Sequence, residues 1–432
     1  MASNPQTYLS DVARTLNNIA GLYRKTQRLN EAADAYKEAL QTYRELAKAN
    51  PQTYLPYVAS TLNNIAVLYS DTQRVKEAAD VYEEALQIYR NLVRENPQSY
   101  LPDLASNLNN IANLYSNTQR LKEAANAYRE ALQTYRDLAK VNPQTYLPDV
   151  ASTLNNLGSL YSDTQQLKEA ADAYKEALQT YRDLARENPQ RYLPDLASTL
   201  NNIAMLYSQT QRLKEAEDAY VEALQIYRDL AKANPSAYFR SVAFTLNGLG
   251  VLYSQMQRFK EAEVPLTEAL QIRRNLAKVN PLAYTPDVGI TLNSLGILYR
   301  HTQRLNDAAT AFIEALQIRR ALAKANPQVY LPYLATTLTN LGNLYLDAGL
   351  LKEADDTYSE SLSIRRNLAK ANPEAYLPGV AQTLSNLGIL YKVEGHYQEA
   401  VSICTEASAI YKQLANDNPD EFGDALSQVC VP

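Results

Sequence analysis

The side chains that most often carry chemistry are scarce in this sequence. It has two histidines, His301 and His396, and two cysteines, Cys404 and Cys430. Neither histidine has a second histidine or a cysteine at ligand spacing, so no metal site is expected. His396 and Cys404 are the one base–nucleophile pairing on offer. However, Cys404 stands where a packed tyrosine otherwise recurs, and a buried thiol is inert. Two cysteines in 432 residues do not make a disulfide framework, and both are expected as reduced thiols of a cytosolic protein. There is no Gly-x-x-x-x-Gly-Lys loop and no Gly-x-Gly-x-x-Gly turn to hold phosphates. An enzyme needs titratable groups converging in a pocket. The sequence offers none, so neither catalysis nor a cofactor is expected.

What does recur is amide chemistry. Asn17, Asn63, Asn109, Asn155, Asn201, Asn247 and Asn293 follow one another at steps of 46 residues, and Thr339 and Ser385 continue the column. An asparagine amide offers both a donor and an acceptor. A column of such amides suits the backbone of an extended peptide, whatever its side chains. An adjacent row, Asn18, Asn64, Asn110, Asn156, Asn202, Asn340 and Asn386, reads as structural, directed toward the preceding repeat. Beside the column the sequence varies, and Met205, Phe244, Val251, Ile290 and Ile297 are expected to form an apolar patch along repeats 5–7. An apolar patch of this kind marks a binding surface.

The elements that must carry this column follow from its period. A leucine recurs with the same step from Leu16 to Leu384, and so does an Asn-Pro pair from Asn4-Pro5 to Asn418-Pro419. Two markers at one fixed period identify a repeat array. In the second repeat, Val58, Leu62, Ile65, Ala66 and Tyr69 have the spacing of one apolar helical face. This predicts helix A over about 56–70, after a connector that begins at Pro51. The polar turn 71–74 leads to helix B over about 75–94, which Asn96-Pro97 ends. Two helices joined by so short a turn pack antiparallel. Small residues (Ala66, Ala78, Ala85) let the backbones approach, and Tyr69, Tyr82 and Tyr89 fill the space between. Pro265 lies inside helix B of repeat 6 and is expected to kink it or loosen a turn. The repeats begin near 5, 51, 97, 143, 189, 235, 281, 327 and 373, so nine of them form one array over 1–418. Residues 419–432 open a tenth, with 420–430 expected as a short cap helix.

Net charge is −5 and the sequence pI about 5.4, which argues against a nucleic-acid partner. The N-terminus has no basic and apolar leader, and no stretch approaches the length of a membrane span. A cytoplasmic location without membrane contact is the expectation.

The pattern resembles the tetratricopeptide repeat, whose usual unit is about 34 residues. The family's small residue in helix A matches Ala66 and its aromatic Tyr69. The helix B alanines match Ala78 and Ala85, and the aromatic between them Tyr82. Leu62 stands at the family's tryptophan position, helix B runs on to a stop at Pro97, and the unit is about a dozen residues longer than the usual one. The long units resemble most those of kinesin light chains, with their Thr-Leu-Asn-Asn start. The resemblance implies an all-α, right-handed solenoid superhelix of nine antiparallel helix pairs plus a short capping helix. It also implies that helix A lines the concave wall, and that asparagines there bind peptide backbone. The expected function is a non-catalytic scaffold that binds an extended peptide or protein segment in this groove. The alternative is a sensor or regulatory arm of a larger bacterial signalling protein, and self-association is a third expectation.

Overall fold

The computed structural model describes residues 5–417, together with Phe422, Ala425, Ser427, Val429 and Cys430. Among the described residues there are eighteen helices and no strand. The chain divides into two compact units, 1–223 and 224–432. The first holds α1 (Pro5–Lys25), α2 (Leu29–Ala49), α3 (Pro51–Asp71), α4 (Val75–Glu95), α5 (Pro97–Asn117), α6 (Leu121–Val141), α7 (Pro143–Asp163), α8 (Leu167–Glu187) and α9 (Pro189–Gln209). The division falls within α10 (Leu213–Ala233). The second unit holds α11 (Pro235–Gln255), α12 (Phe259–Val279), α13 (Pro281–His301), α14 (Leu305–Ala325), α15 (Pro327–Asp347), α16 (Leu351–Ala371), α17 (Pro373–Glu394) and α18 (Tyr397–Asp417).

Within each unit every helix packs on the next in sequence, and alternate odd-numbered helices also touch (α1 with α3, α11 with α13, and so on). Among the described residues the backbones of even-numbered helices do not come this close, and only long side chains bridge them. The odd helices, each the A helix of its repeat, therefore lie on the tighter side of the stack.

Helix A begins five residues earlier than its apolar spacing predicts. The supposed connector Pro51–Leu55 is its first turn and more. The cause is the Asn-Pro pair. Asn50 Oδ1 accepts from the Thr53 amide at 3.2 Å, an N-cap, and Pro51 sits at the first helical position, where a missing N–H costs nothing. The same residue closes the helix before it, since the Asn50 amide donates to Leu46 O at 3.0 Å. One residue thus ends helix B and starts the next helix A. Seven of these asparagines make the N-cap bond, and Asn326 does not. Pro56 consequently lies in the second turn, inside the helix, and its counterparts Pro102, Pro148, Pro194, Pro286, Pro332 and Pro378 do the same. The N–H that Pro56 lacks would have met the carbonyl of Gln52, an exposed residue that water can serve. Pro265 is buried, and α12 runs through it unbroken.

The A–B turn is built on a left-handed residue. Gln27, Gln73, Gln119, Gln165, Gln211, Gln257 and Gln303 have φ between 57° and 62°, and Gly349 and Gly395 take that place in the last two repeats. Beside it an arginine lies over the tyrosine that ends helix A, as Arg74 does 3.9 Å above the Tyr69 ring, and pairs with the acid three residues on (Glu77, 3.1 Å). Tyr69 is therefore half-buried under a cation, whereas Tyr82 and Tyr89 are core.

In repeats 6 and 7 a buried arginine, and in repeat 8 the half-buried Arg365, replaces the last core tyrosine of helix B. Arg273 donates to Asp287 O at 2.9 Å and to Thr291 Oγ1 at 2.6 Å, and Arg319 makes the same pair of contacts with Tyr333 O and Thr337 Oγ1. Burial lowers both guanidinium pKa values to about 10, so both stay charged at neutral pH. On the even helices, Arg44–Glu84, Arg90–Glu130, Arg136–Glu176, Arg182–Glu222, Arg228–Glu268, Arg274–Glu314, Arg320–Glu360 and Arg366–Glu406 tie each repeat to the next.

Candidate functional site

The asparagine column lies on the odd helices, at the middle of the A face. Its amides are partly spent on holding repeats together. Asn17 Oδ1 accepts from Asn64 Nδ2 (3.4 Å), Asn63 Oδ1 from Asn110 Nδ2 (3.3 Å), Asn155 Oδ1 from Asn202 Nδ2 (3.0 Å) and Asn293 Oδ1 from Asn340 Nδ2 (3.2 Å). Asn109 Oδ1 accepts instead from Thr153 Oγ1 (3.4 Å). The adjacent asparagine row thus reaches back to the preceding repeat, because a step of 47 residues brings it beside the column on the next A helix. The acceptor of each of these five side chains is used, while the Nδ2 donors of Asn17, Asn63, Asn109, Asn155 and Asn293 make no hydrogen bond within the described residues. The column therefore presents donors, where the sequence alone offers both donors and acceptors.

Other rungs differ. Asn201 is buried at 4% exposure. Asn247 has a buried Oδ1 that finds no partner among the described residues. Thr339 is buried and shares a hydrogen bond with Ser361 Oγ at 2.9 Å. Ser385 accepts from the backbone amide of Cys430 at 2.9 Å, so this rung already holds a piece of peptide backbone from the chain itself.

That contact accompanies a correction. Cys404 and Cys430 form a disulfide with Cα atoms 6.0 Å apart, whereas free thiols were expected. Composition gives no hint of it. The cysteines meet because Phe422, Ala425 and Val429 pack against Ala381, Tyr411 and Leu414, and because Gly388 leaves room, a Cβ there lying 2.5 Å from Cys404 Sγ. Phe422, Ala425 and Ser427 are helical, and the rest of the expected 420–430 cap, apart from Val429 and Cys430, lies outside the described residues.

Of the apolar side chains, Phe244 (46% exposed), Val251 (38%) and Ile290 (37%) stand open in the second unit. Phe244 and Val251 share a face of α11, and Ile290 takes the matching place on the touching helix α13. Ile297 is half-buried against the cluster around Phe312 and Leu316. Met205, also exposed, belongs to the first unit.

Sequence reasoning missed the structural use of several polar groups. Asn107, where other repeats carry threonine, is buried and donates to Asn63 Oδ1 at 3.3 Å. Asn113 and Asn343 accept from the hydroxyls of Tyr128 and Tyr358. Only their variance from neighbouring repeats could have flagged them. The histidines do no shared work. His301 stacks on Phe259, and burial, with Arg300 nearby, lowers its pKa and keeps it neutral. Among the described residues no three acidic, histidine or cysteine side chains gather as a metal site would need. No helix is long and apolar enough to cross a membrane.

Family models described as tetratricopeptide repeat match residues 11–91, 57–137, 104–183, 149–229, 287–367 and 333–413, and another of the same description matches 242–280. The chain belongs to the tetratricopeptide repeat family. This repeat is a protein-interaction fold, and its helix-pair stacking is what the described residues show. No curated protein matches the chain. Among solved structures, a Rap protein complexed with Competence and Sporulation Factor is 16% identical, with a TM-score of 0.56 over 94% of this tetratricopeptide repeat chain and 99% of that one. The apo form of the quorum sensor NprR from B. thuringiensis is 17% identical, with a TM-score of 0.54 over 81% and 87%. A putative kinesin light chain from Podosopora anserina with nearly identical TPR-like repeats is 18% identical over 51% and 96%, with a TM-score of 0.40.

Proposed function

We propose that this tetratricopeptide repeat chain is a non-catalytic scaffold that holds an extended peptide or protein segment along its A helices. The observation that carries this reading is the row of unspent amide donors at Asn17, Asn63, Asn109, Asn155 and Asn293, whose acceptors are fixed by the neighbouring repeat. Fixing one end of an amide orients the other, so the donors are pre-set for backbone carbonyls, and ordering costs little on binding. The Cys430 amide on Ser385 supports the same use of this face from within the chain. Phe244, Val251 and Ile290 supply a place for apolar side chains of the segment. Two solved proteins of this fold, the Rap protein complexed with Competence and Sporulation Factor and the quorum sensor NprR, agree with a groove that takes a peptide.

A random peptide library panned against the whole chain tests this. Selected peptides should lose roughly three- to tenfold in affinity with Asn155→Ala, the loss of about one hydrogen bond. They should fail on Phe244→Asp/Ile290→Asp, with the helical signal unchanged. Exposed Ile290 is the better target, because half-buried Ile297 would confound binding with stability. Peptides that bind both variants as tightly as the parent would defeat the reading.

A further inference from the structure

The turn of repeat 4 breaks a rule that the other early repeats keep. In six repeats an arginine lies 3.9–4.4 Å above the tyrosine that ends helix A, as in Arg120 over Tyr115. Each of those arginines also pairs with the acid three residues on, as Arg120 does with Glu123 at 3.1 Å. Repeat 4 has Gln166 in that place. Its amide turns aside to Thr164 Oγ1 at 2.9 Å, and Glu169, the acid three residues on, makes no ion pair among the described residues. Where the arginine would lie there is a cleft of about 470 Å³, lined by Leu121, Ala125, Leu160 and Tyr161 together with the polar Lys122 and Arg129. That size is within the roughly 300–1,000 Å³ of small-ligand sites.

A vacancy left by an arginine would first suggest a guanidinium guest. The charges argue otherwise. Arg129 already donates from Nε to the Tyr161 hydroxyl at 3.1 Å and sits at the edge of the ring, 5.7 Å from its centre. Lys122 is exposed and makes no ion pair among the described residues. At the preceding joint the residues matching Asn126 and Arg129 are Asp80 and Glu83, and Glu83 holds the Tyr115 hydroxyl at 2.7 Å. The repeat 3–4 joint has exchanged both acids, one for a neutral amide and one for a cation, so the lining of its cleft carries two cations and no carboxylate, with Glu169 outside that lining. A second guanidinium would be repelled there, whereas an anion would be held by Lys122 and the free Nη2 of Arg129.

We propose that this cleft is a second binding site, separate from the A-helix face, for a carboxylate with a flat apolar body. Its acid group would meet Lys122 and Arg129, and its apolar part would lie on Tyr161, Leu160 and Leu121. The proposal does not depend on the peptide-scaffold reading.

The test uses the whole chain and three probes in ligand-observed NMR titrations: N-acetyl-phenylalanine, its primary amide, and phenethylguanidinium. The acid should bind about tenfold tighter than the amide, the worth of one charged hydrogen bond, and added salt should erode the difference. Two variants borrow residues from other repeats, so both leave the fold intact. Gln166→Arg should fill the cleft and abolish binding of the acid, and Arg129→Glu should reverse the preference toward the guanidinium. Equal binding of acid and amide, tighter binding of the guanidinium by the parent chain, full affinity in Gln166→Arg, or no binding at millimolar probe would each overturn the proposal.

Discussion

Replacing the seven turn glutamines by glycine should stabilise the protein, and the structure sets the size of the gain. Gln27, Gln73, Gln119, Gln165, Gln211, Gln257 and Gln303 are exposed, have φ of 57–62°, and make no side-chain hydrogen bond among the described residues. A side chain in the left-handed region costs roughly 1–2 kcal/mol through the contact of Cβ with the following carbonyl. Glycine removes that strain but gives back roughly 0.5–1 kcal/mol in chain entropy. The net gain is about 0.5–1 kcal/mol per turn. In an array whose repeats interact only with their neighbours such terms add, so seven changes should contribute about 3–7 kcal/mol. Gly349 and Gly395, at φ 71° and 82°, already make this choice in repeats 8 and 9. The assay is guanidinium unfolding followed by circular dichroism, with a higher midpoint at unchanged slope expected for the glycine variant. Gln119→Val is the opposing control and should lower the midpoint, since a β-branched residue tolerates positive φ least. A glycine variant less stable than the parent would mean that the glutamines supply an interaction larger than their strain, and the account of the turn would fail.

Three further outcomes are expected. Cys404→Ser, or reduction by dithiothreitol, should weaken the attachment of the tail by roughly 3–4 kcal/mol, the chain-entropy value for a disulfide closing a 26-residue separation. Hydrogen exchange should then quicken in α17 and α18 but not in α1–α8, and equal quickening everywhere would refute the local role. Arg273→Ala should cost about 2–4 kcal/mol, because the Asp287 carbonyl and Thr291 lose their donor and a void remains. Arg273→Tyr, the residue of repeats 1–5, should stay within about 1 kcal/mol of the parent in the same unfolding assay. For half-buried Asp149, burial raises the carboxyl pKa, with Arg191 opposing. Folding therefore favours the protonated form, and that contribution is present below the unfolded value near 3.8 and lost as pH rises through the folded one. Asp149→Asn should accordingly raise the urea midpoint at pH 7 and leave it unchanged near pH 3.5; a gain at both pH values would show that charge is not the cause.

The helix pairs were readable because a strict period multiplies weak signals. Apolar spacing located Leu62, Ile65 and Ala66 in the core, and all three are buried. The start of helix A was misplaced because its first turn, Pro51–Leu55, has no buried face of its own and rests on the Asn50 cap. Reading Asn-Pro as a cap followed by a first-turn proline would have found it. The disulfide was not legible, since it depends on how residues 422–430 pack and on the hollow at Gly388. The asparagine column was visible as a pattern. Which half of each amide is occupied was not, because that depends on the neighbour 44 or 47 residues away. The vacancy at Gln166 was legible in principle, as one departure in a row of arginines, yet its meaning needs the cleft beside Tyr161.

The arginine–glutamate ties on the even helices span 40 residues each time, always from the late part of one B helix to the middle of the next. Because every joint uses the same handshake, the tie carries no address. Excising one whole period would bring Arg44 opposite Glu130 with the geometry Arg90 now has, and the closing ends would not register the loss. Length in such a molecule is free to drift by gene-level gain or loss of a period, while the odd residues, Gln166 among them, are what give any one position an identity.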